Sequence, residues 1–282
     1  MPHHIYLSPH FDDAVFSCGG QIYQIACSGQ RVTVYTVMAG FPPPHFKPTP
    51  FTDELHARWA LGNDPEAVIT ARQAEDRAAI SMLGADVRFG TIPDSVYRVS
   101  ADGEAFYPAV EAIFSPVNPH DTANLAMLEA DFCRNFANVL PFDPNETILY
   151  IPLGVGKHVD HLLTRALGAH LAAQFRLRNA YFYEEYPYAR KGRQKILEAV
   201  VDLHQVLEPY RSHFGLRVTS QKVVIDEVAL RQKIAASACY VSQVSTFWEN
   251  TAALEADLRS YQTLSGGEGC WRPLLRHESD SL

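Results

Sequence analysis

The chain has few cysteines: Cys18, Cys27, Cys133, Cys239 and Cys270 are scattered over 282 residues, odd in number and without a Cys-x-x-Cys pair. That excludes a disulfide framework and matches the usage of a reduced, cytoplasmic protein. No apolar run approaches the ~18 residues that suggest a membrane span. Met1-Pro2-His3-His4-Ile5 lacks the basic start and long apolar stretch of a signal peptide. Positive charge is in deficit, with 24 Lys and Arg against 32 Asp and Glu and a net charge of −8. This argues against a general nucleic-acid binder, which needs clustered basic residues. The most compact basic run, Arg190-Lys191-Gly192-Arg193, reads as a solvated helix start. Gly19-Gly20 is not a GxGxxG fingerprint, Gly156-Lys157 lacks Walker spacing, and there is no GxSxG. The absences leave a soluble, cytoplasmic protein with no membrane span, no nucleic-acid role, and an oligomeric state that the sequence does not specify.

Apolar residues make up 47% of the chain, enough for a full core. The first half alternates strand and helix patterns. Strands are expected at 4–8, 31–37, 87–89, 147–151 and 180–183, and helices at 14–28, 65–83, 122–139 and 159–176. The proline-rich segment 41–50 fits neither helix nor central strand. This order predicts an α/β fold, Rossmann-like, with a mostly parallel sheet flanked by helices. Beyond about residue 200 the pattern changes to a strand near 217–225 and helices near 226–238 and 250–262. The expectation is one domain over 1–282, with a core of about 1–185 and a C-terminal strand/helix elaboration over about 186–282.

Two polar clusters stand at strand ends. Ser8-Pro9-His10-Phe11-Asp12-Asp13 follows Ile5-Tyr6-Leu7, and Gly156-Lys157-His158-Val159-Asp160-His161 comes shortly after Thr147–Ile151. In an open α/β sheet that edge is where ligands bind. His10 and Asp13 lie three apart, as do His158 and His161, so each pair can face one point. Four candidate ligands exceed the three that a catalytic zinc usually takes, which frees one for acid or oxyanion work. Asp12 would be the carboxylate that takes a water's proton. The bland alternative is that Asp12-Asp13 caps the first helix and favours its dipole. The remaining histidines, His3, His4 and His56 among them, lack a partner at ligand spacing and read as ordinary polar contacts. Glu184 and Glu185, at the end of strand 180–183, are placed to reach the crevice.

Together the two clusters resemble the PIG-L/LmbE-like family of zinc-dependent N-acetylglucosaminyl deacetylases. The likeness rests on Pro9-His10, Asp12-Asp13, Gly19-Gly20 and His158-x-Asp160-His161. It continues through Arg72-x-x-Glu75, Leu83-Gly84 and Pro93-Asp94, with Tyr240-x-Ser242-Gln243 as a later match. The resemblance implies zinc held by His10, Asp13 and His161, although iron(II) would also suit these ligands. It implies Asp12 as general base, His158 as the group that stabilises the oxyanion, and Asp160 as the residue that orients His158. Arg72 and Asp94 would contact the sugar. Phe11 replaces the family's usual proline and Ala14 its usual glutamate, departures that bear on substrate preference more than on catalysis. The implied activity is removal of an N-acyl, first of all N-acetyl, group from a small-molecule amino sugar conjugate. The alternative is a non-catalytic carbohydrate- or nucleotide-sugar-binding protein on the same fold.

Overall fold

The computed structural model describes residues 1–279. Its seven strands are β1 (His3–Ser8), β2 (Arg31–Thr36), β3 (Asp86–Phe89), β4 (Thr147–Pro152), β5 (Asn179–Tyr183), β6 (Phe214–Val223) and β7 (Glu268–Leu275). They form one sheet in the order β3-β2-β1-β4-β5-β7-β6. The first five strands run parallel; β7 lies antiparallel to β5, and β6 antiparallel to β7. The fold is thus the expected α/β sandwich with a mostly parallel sheet.

The helices are α1 (Asp13–Cys27), α2 (Pro50–Trp59), α3 (Pro65–Met82), α4 (Val110–Ile113), α5 (Leu125–Asn135), α6 (Val159–Gln174), α7 (Arg193–Leu207), α8 (Glu227–Ser237), α9 (Val241–Phe247), α10 (Thr251–Ser265) and α11 (Arg276–Ser279). Strand periodicity sorts them into two layers. Ile5 and Leu7 of β1 join Leu149, Ile151 and Phe182 in a core under α5, α6 and α7. Tyr6 points the other way and joins Val34, Tyr150 and Tyr183 in a core with α1, α3 and α10. A period-2 strand buried on both faces needs this continuous apolar composition. None of these helices is long and apolar enough to cross a membrane.

The chain passes from β1 to β2 and β3 on one side and then returns to β4 on the other. The strand order therefore reverses between β1 and β4, and a crevice opens outside their carboxyl ends. Both polar clusters emerge there.

Gly19-Gly20 has a packing role. A Cβ at Gly20 would meet Ile225 Cδ1 at 2.5 Å, and one at Gly19 would meet Lys233 Cγ at 3.0 Å. The two glycines let α8 press onto α1, and buried Lys233 then bonds Glu268 at 2.8 Å while Glu268 accepts the Gly20 and Gln21 amides.

The sequence reading does not anticipate α2, the short α4, α9, α11 or β7, and it gives α7 only as a helix start at 190–193. α2 starts at Pro50 after a Thr49 capping box, hidden behind the prolines that precede it. α7 carries Ile196, Ala199, Val200, Leu203 and Leu207 at helical spacing, so its signal was present. α9 is only seven residues long. β7 contains Gly269 and Pro273, which demote a strand pattern. Gly269 is required because a Cβ would collide with Glu184 Oε2, and Pro273 sits beside the register shift of β6. Helix α5 is shorter than the expected 122–139, since Asn124 caps it by accepting from the Met127 amide.

Buried Asp76 on α3 gives the fold a pH signature. Tyr240 and Thr36 hydroxyls donate to its two oxygens at 2.6 and 2.7 Å. Desolvation nevertheless raises its pKa to about 8, and those hydrogen bonds only partly offset it. A raised native pKa means that the stability contributed by the neutral acid is full below the unfolded value near 4. It is lost as pH rises through 8. Urea midpoints of the wild type should therefore fall between pH 5 and pH 8 relative to Asp76→Asn, whose side chain does not titrate. Parallel pH profiles for the two proteins would refute this.

Candidate active site

The turn after β1 delivers His10, Asp12 and Asp13, and the start of α6 delivers His158, Asp160 and His161. All six are buried or nearly so. Asp12 occupies the N-cap position of α1 but makes no side-chain cap hydrogen bond, so capping does not account for it. Asp13 Oδ2 accepts from the His10 amide at 2.9 Å. The same oxygen lies 3.2 Å from His10 Nδ1 and 3.3 Å from His161 Nε2.

These spacings bear on metal binding. Ligand atoms ~3.3–3.4 Å apart are the edge of a tetrahedron with bonds of ~2.0–2.1 Å, as zinc makes with nitrogen and oxygen. Among the described residues, His161 Nε2 is buried and has no hydrogen-bond partner, although Asp13 is close. Its other nitrogen lies 3.2 Å from Glu185 Oε1, the arrangement in which a carboxylate fixes the tautomer of a metal-binding histidine. The ring nitrogens of His10, His158 and His161 also lie within 4.8 Å of one another. Donor type, spacing and the orphaned nitrogen all fit a divalent metal.

The electrostatics agree. Burial alone would lower His161, but Asp13 and Glu185 outweigh it and hold its pKa at about 9. Burial would likewise lower His10, yet Asp94, Asp13 and Asp160 raise it well above the usual histidine value. Burial would raise Asp13, but His161 and His10 hold it well below the usual carboxylate range. These carboxylates favour positive charge where the two imidazoles meet.

Asp12 differs from its neighbour. Burial and then the charge of Asp13 raise its pKa to about 6, against opposing pulls from Arg72 and His10. His158 is shifted down, by burial first and then by the charge of His10. Its Nδ1 accepts from the Asp160 amide at 3.2 Å, so the proton of the neutral ring sits on Nε2.

Asp160 meets His158 through its backbone and His10 through its side chain. Its carboxylate turns to His10, with Oδ2 3.0 Å from Nε2, and only its backbone N–H reaches His158. The cause is Arg98, which the sequence reading missed. Its fully buried guanidinium lies 2.6 Å from Asp160 Oδ1 and also bonds Asp121, drawing the carboxylate inward. Glu185 does reach the site, whereas Glu184 bonds Lys222 and Trp271 away from it.

Arg72 and Asp94 are brought together on the wall of the crevice, Nη1 to Oδ2 at 3.7 Å. The Arg72 guanidinium lies over Trp59 at 4.4 Å and over Phe11 at 5.0 Å, so Phe11 supports it. Its Nε and Nη1 are buried without hydrogen-bond partners among the described residues. Two distant fragments meet behind it: Ser242 bonds Glu75, and Tyr240 bonds Asp76. This docks α9 on α3 and sets Gln243 in the wall. The resulting cavity of about 230 Å³ has Asp12, Asp13, His10 and His158 at one end and apolar side chains including Phe51, Trp59 and Phe247 around it.

A family model described as PIG-L, GlcNAc-PI de-N-acetylase, matches residues 5–172, more than half of the chain. The 2'-N-acetylparomamine deacetylase of Niallia circulans is 27% identical over 203 residues, covering 65% of this chain and 66% of that enzyme. The chain thus spans just under two thirds of this curated relative. Among solved structures, a zinc-inhibited form of the teicoplanin deacetylase Orf2 is 26% identical with a TM-score of 0.76. That match covers 97% of this chain and 98% of the other. The A40926 pseudoaglycone deacetylase Dbv21 is 25% identical with a TM-score of 0.69, over 96% of each chain.

Proposed function

This chain belongs to the PIG-L family, and from that premise we propose that it is a metal-dependent amidohydrolase that removes an N-acyl, first of all N-acetyl, group from an amino sugar conjugate. The observation that carries the reading is the convergence of His10, Asp13 and His161 on one point, beside a carboxylate with a raised pKa, at the end of a cavity. The deacetylase relatives, with names that refer to paromamine, teicoplanin and A40926 pseudoaglycone, support the substrate class.

His10 Nδ1, Asp13 Oδ2 and His161 Nε2 would hold zinc, with iron(II) the other metal suited to this set. When bound, the metal supplies a Lewis acid that acidifies a water and polarises the amide carbonyl. Asp12 takes the proton of the attacking water; with its pKa raised to about 6, it can then return that proton to the departing amine. His158 presents Nε2–H to the developing oxyanion as a neutral donor. Asp160, anchored by Arg98, holds His10 with Nδ1 forward, and Glu185 does the same for His161. The unpartnered Arg72 donors and the Asp94 carboxylate bind sugar hydroxyls, which fixes the amide over Asp12. Asp12 favours this reading over a pure binding protein, because binding alone needs no buried base. We place the enzyme in the cytoplasm, working as one domain in which the C-terminal third supplies a wall of the site.

Metal analysis tests the ligand set. Wild-type protein should hold about one equivalent of zinc or iron per chain, and His161→Ala should lose it while keeping its circular dichroism. Equal metal content in the two proteins would contradict the assignment. Free-amine release from a panel of N-acetylglucosamine conjugates, run with the metal-loaded wild type over a range of zinc concentrations, tests the activity. No release from any member would oppose the reading.

A further inference from the structure

A second cavity, of about 300 Å³, adjoins the catalytic one and shares Phe114 and Tyr188 with it. Phe114 stands edge-on to His158 at 5.5 Å and to Tyr188 at 6.4 Å, so the partition between the cavities touches the catalytic histidine. The floor is the loop after β4, where Gly154 and Gly156 leave the backbone bare. At Gly156 φ is +88°, and a Cβ would meet Tyr188 Cδ1 at 2.7 Å, so this floor excludes a side chain.

The rim is cationic. Lys157, Lys191 and Lys195 line it against a single carboxylate, Glu198. Lys157 is paired with Asp202 at 2.9 Å and Lys195 with Glu198 at 3.0 Å. Among the described residues no carboxylate pairs with Lys191, and its Nζ lies 5.9 Å from the Tyr188 ring, beside the partition. This concentration of lysines occurs in a chain whose net charge is −8. The run Arg190–Arg193 is exposed and leads into α7, as expected for a solvated helix start, and it also borders this cavity. α7 begins at Arg193 with no acidic residue in its first turn, so that turn adds no carboxylate to the rim.

We propose that this second cavity binds an anionic group, a carboxylate or a phosphate, on the conjugate whose acylated amino sugar occupies the catalytic cavity. The preferred substrates are then acidic amino sugar conjugates. This rests on the amidohydrolase reading and names the substrate class within it. Phe114 and Tyr188 are the surface over which the linkage between sugar and anion passes.

The test uses three N-acetylglucosamine glycosides of equal length, with aglycones ending in a neutral amide, a carboxylate or a phosphate. Each is assayed with metal-loaded wild type and with the exposed double variant Lys191→Gln/Lys195→Gln. For the wild type at low salt, kcat/KM should favour an anionic glycoside by about tenfold, as expected for two solvent-screened ion contacts. The preference should vanish in the double variant and at 1 M salt, where the Debye length is only about 3 Å. The neutral glycoside should be unaffected, and the ratio of carboxylate to phosphate rates names the anion. Equal kcat/KM for neutral and anionic glycosides in the wild type, or a parallel fall for all three in the variant, would overturn the proposal. If none is hydrolysed, the amidohydrolase reading fails, and calorimetric binding of the phosphate glycoside decides the site on its own. Weaker binding by the double variant sustains the site; unchanged binding overturns it.

Discussion

Asp12→Asn should keep its metal and lose about 10²- to 10⁴-fold in kcat, the usual contribution of a positioned general base. The side chain is 6% exposed, makes no helix-cap hydrogen bond and contributes no atom to the His10–Asp13–His161 convergence, so asparagine can replace it without disturbing the ligands. Burial and then Asp13 keep its proton affinity high enough to accept from water and return to an amine. Asparagine keeps the shape and cannot take the proton. Metal content and kcat measured on the same preparation separate the two functions. Loss of metal together with rate would make Asp12 a ligand, and near-normal kcat would remove it from the mechanism.

Arg98→Met should be the most damaging single change to the fold that also reaches the site. Arg98 is fully buried, bonds Asp121 through Nε and Nη2 at 2.9 Å each, and lies 2.6 Å from Asp160. Removing it leaves two buried carboxylates without their cation, a loss of about 3–5 kcal/mol for a broken buried pair. In a chain of this length that lowers Tm by on the order of 10 °C. The damage also travels to the metal centre, because Asp160 released from Arg98 no longer holds His10. Metal affinity should fall by about 10- to 100-fold, as for other lost supports of metal-binding histidines. A thermal melt and a metal titration of the variant read both effects. A change of less than about 1 kcal/mol, within the range of surface substitutions, would show that Asp160 is not held in this way.

Much of this was legible in the sequence because it is written locally. The β-branched run Arg31–Val37 and the Asp64-Pro65 start of α3 each carry their own signal, and so do the two His/Asp clusters, which must share the carboxyl edge once the sheet is parallel. What stayed hidden depends on contacts between distant positions. Arg98 has no local signature, since its meaning comes from Asp121 and Asp160 meeting it in the interior. The turn of Asp160 toward His10 follows from that same buried cation. Strand β7 is concealed by Gly269 and Pro273, tolerated because Glu184 crowds one and an irregular β6 faces the other. The pairing of Ser242 with Glu75 joins residues 167 apart in sequence, so neither fragment alone could show that α9 completes the wall. The basic run 190–193 was visible as charge, but its position beside the catalytic cavity was not.

The most direct test of the central claim is to quantify acetate and free amine released together from one N-acetylglucosamine conjugate by metal-loaded wild-type protein, with Asp12→Asn at equal metal content as the control. The account predicts equal molar release of both products by the wild type and almost none by the variant. Saturable binding of the conjugate without release of either product, with metal bound, would contradict it.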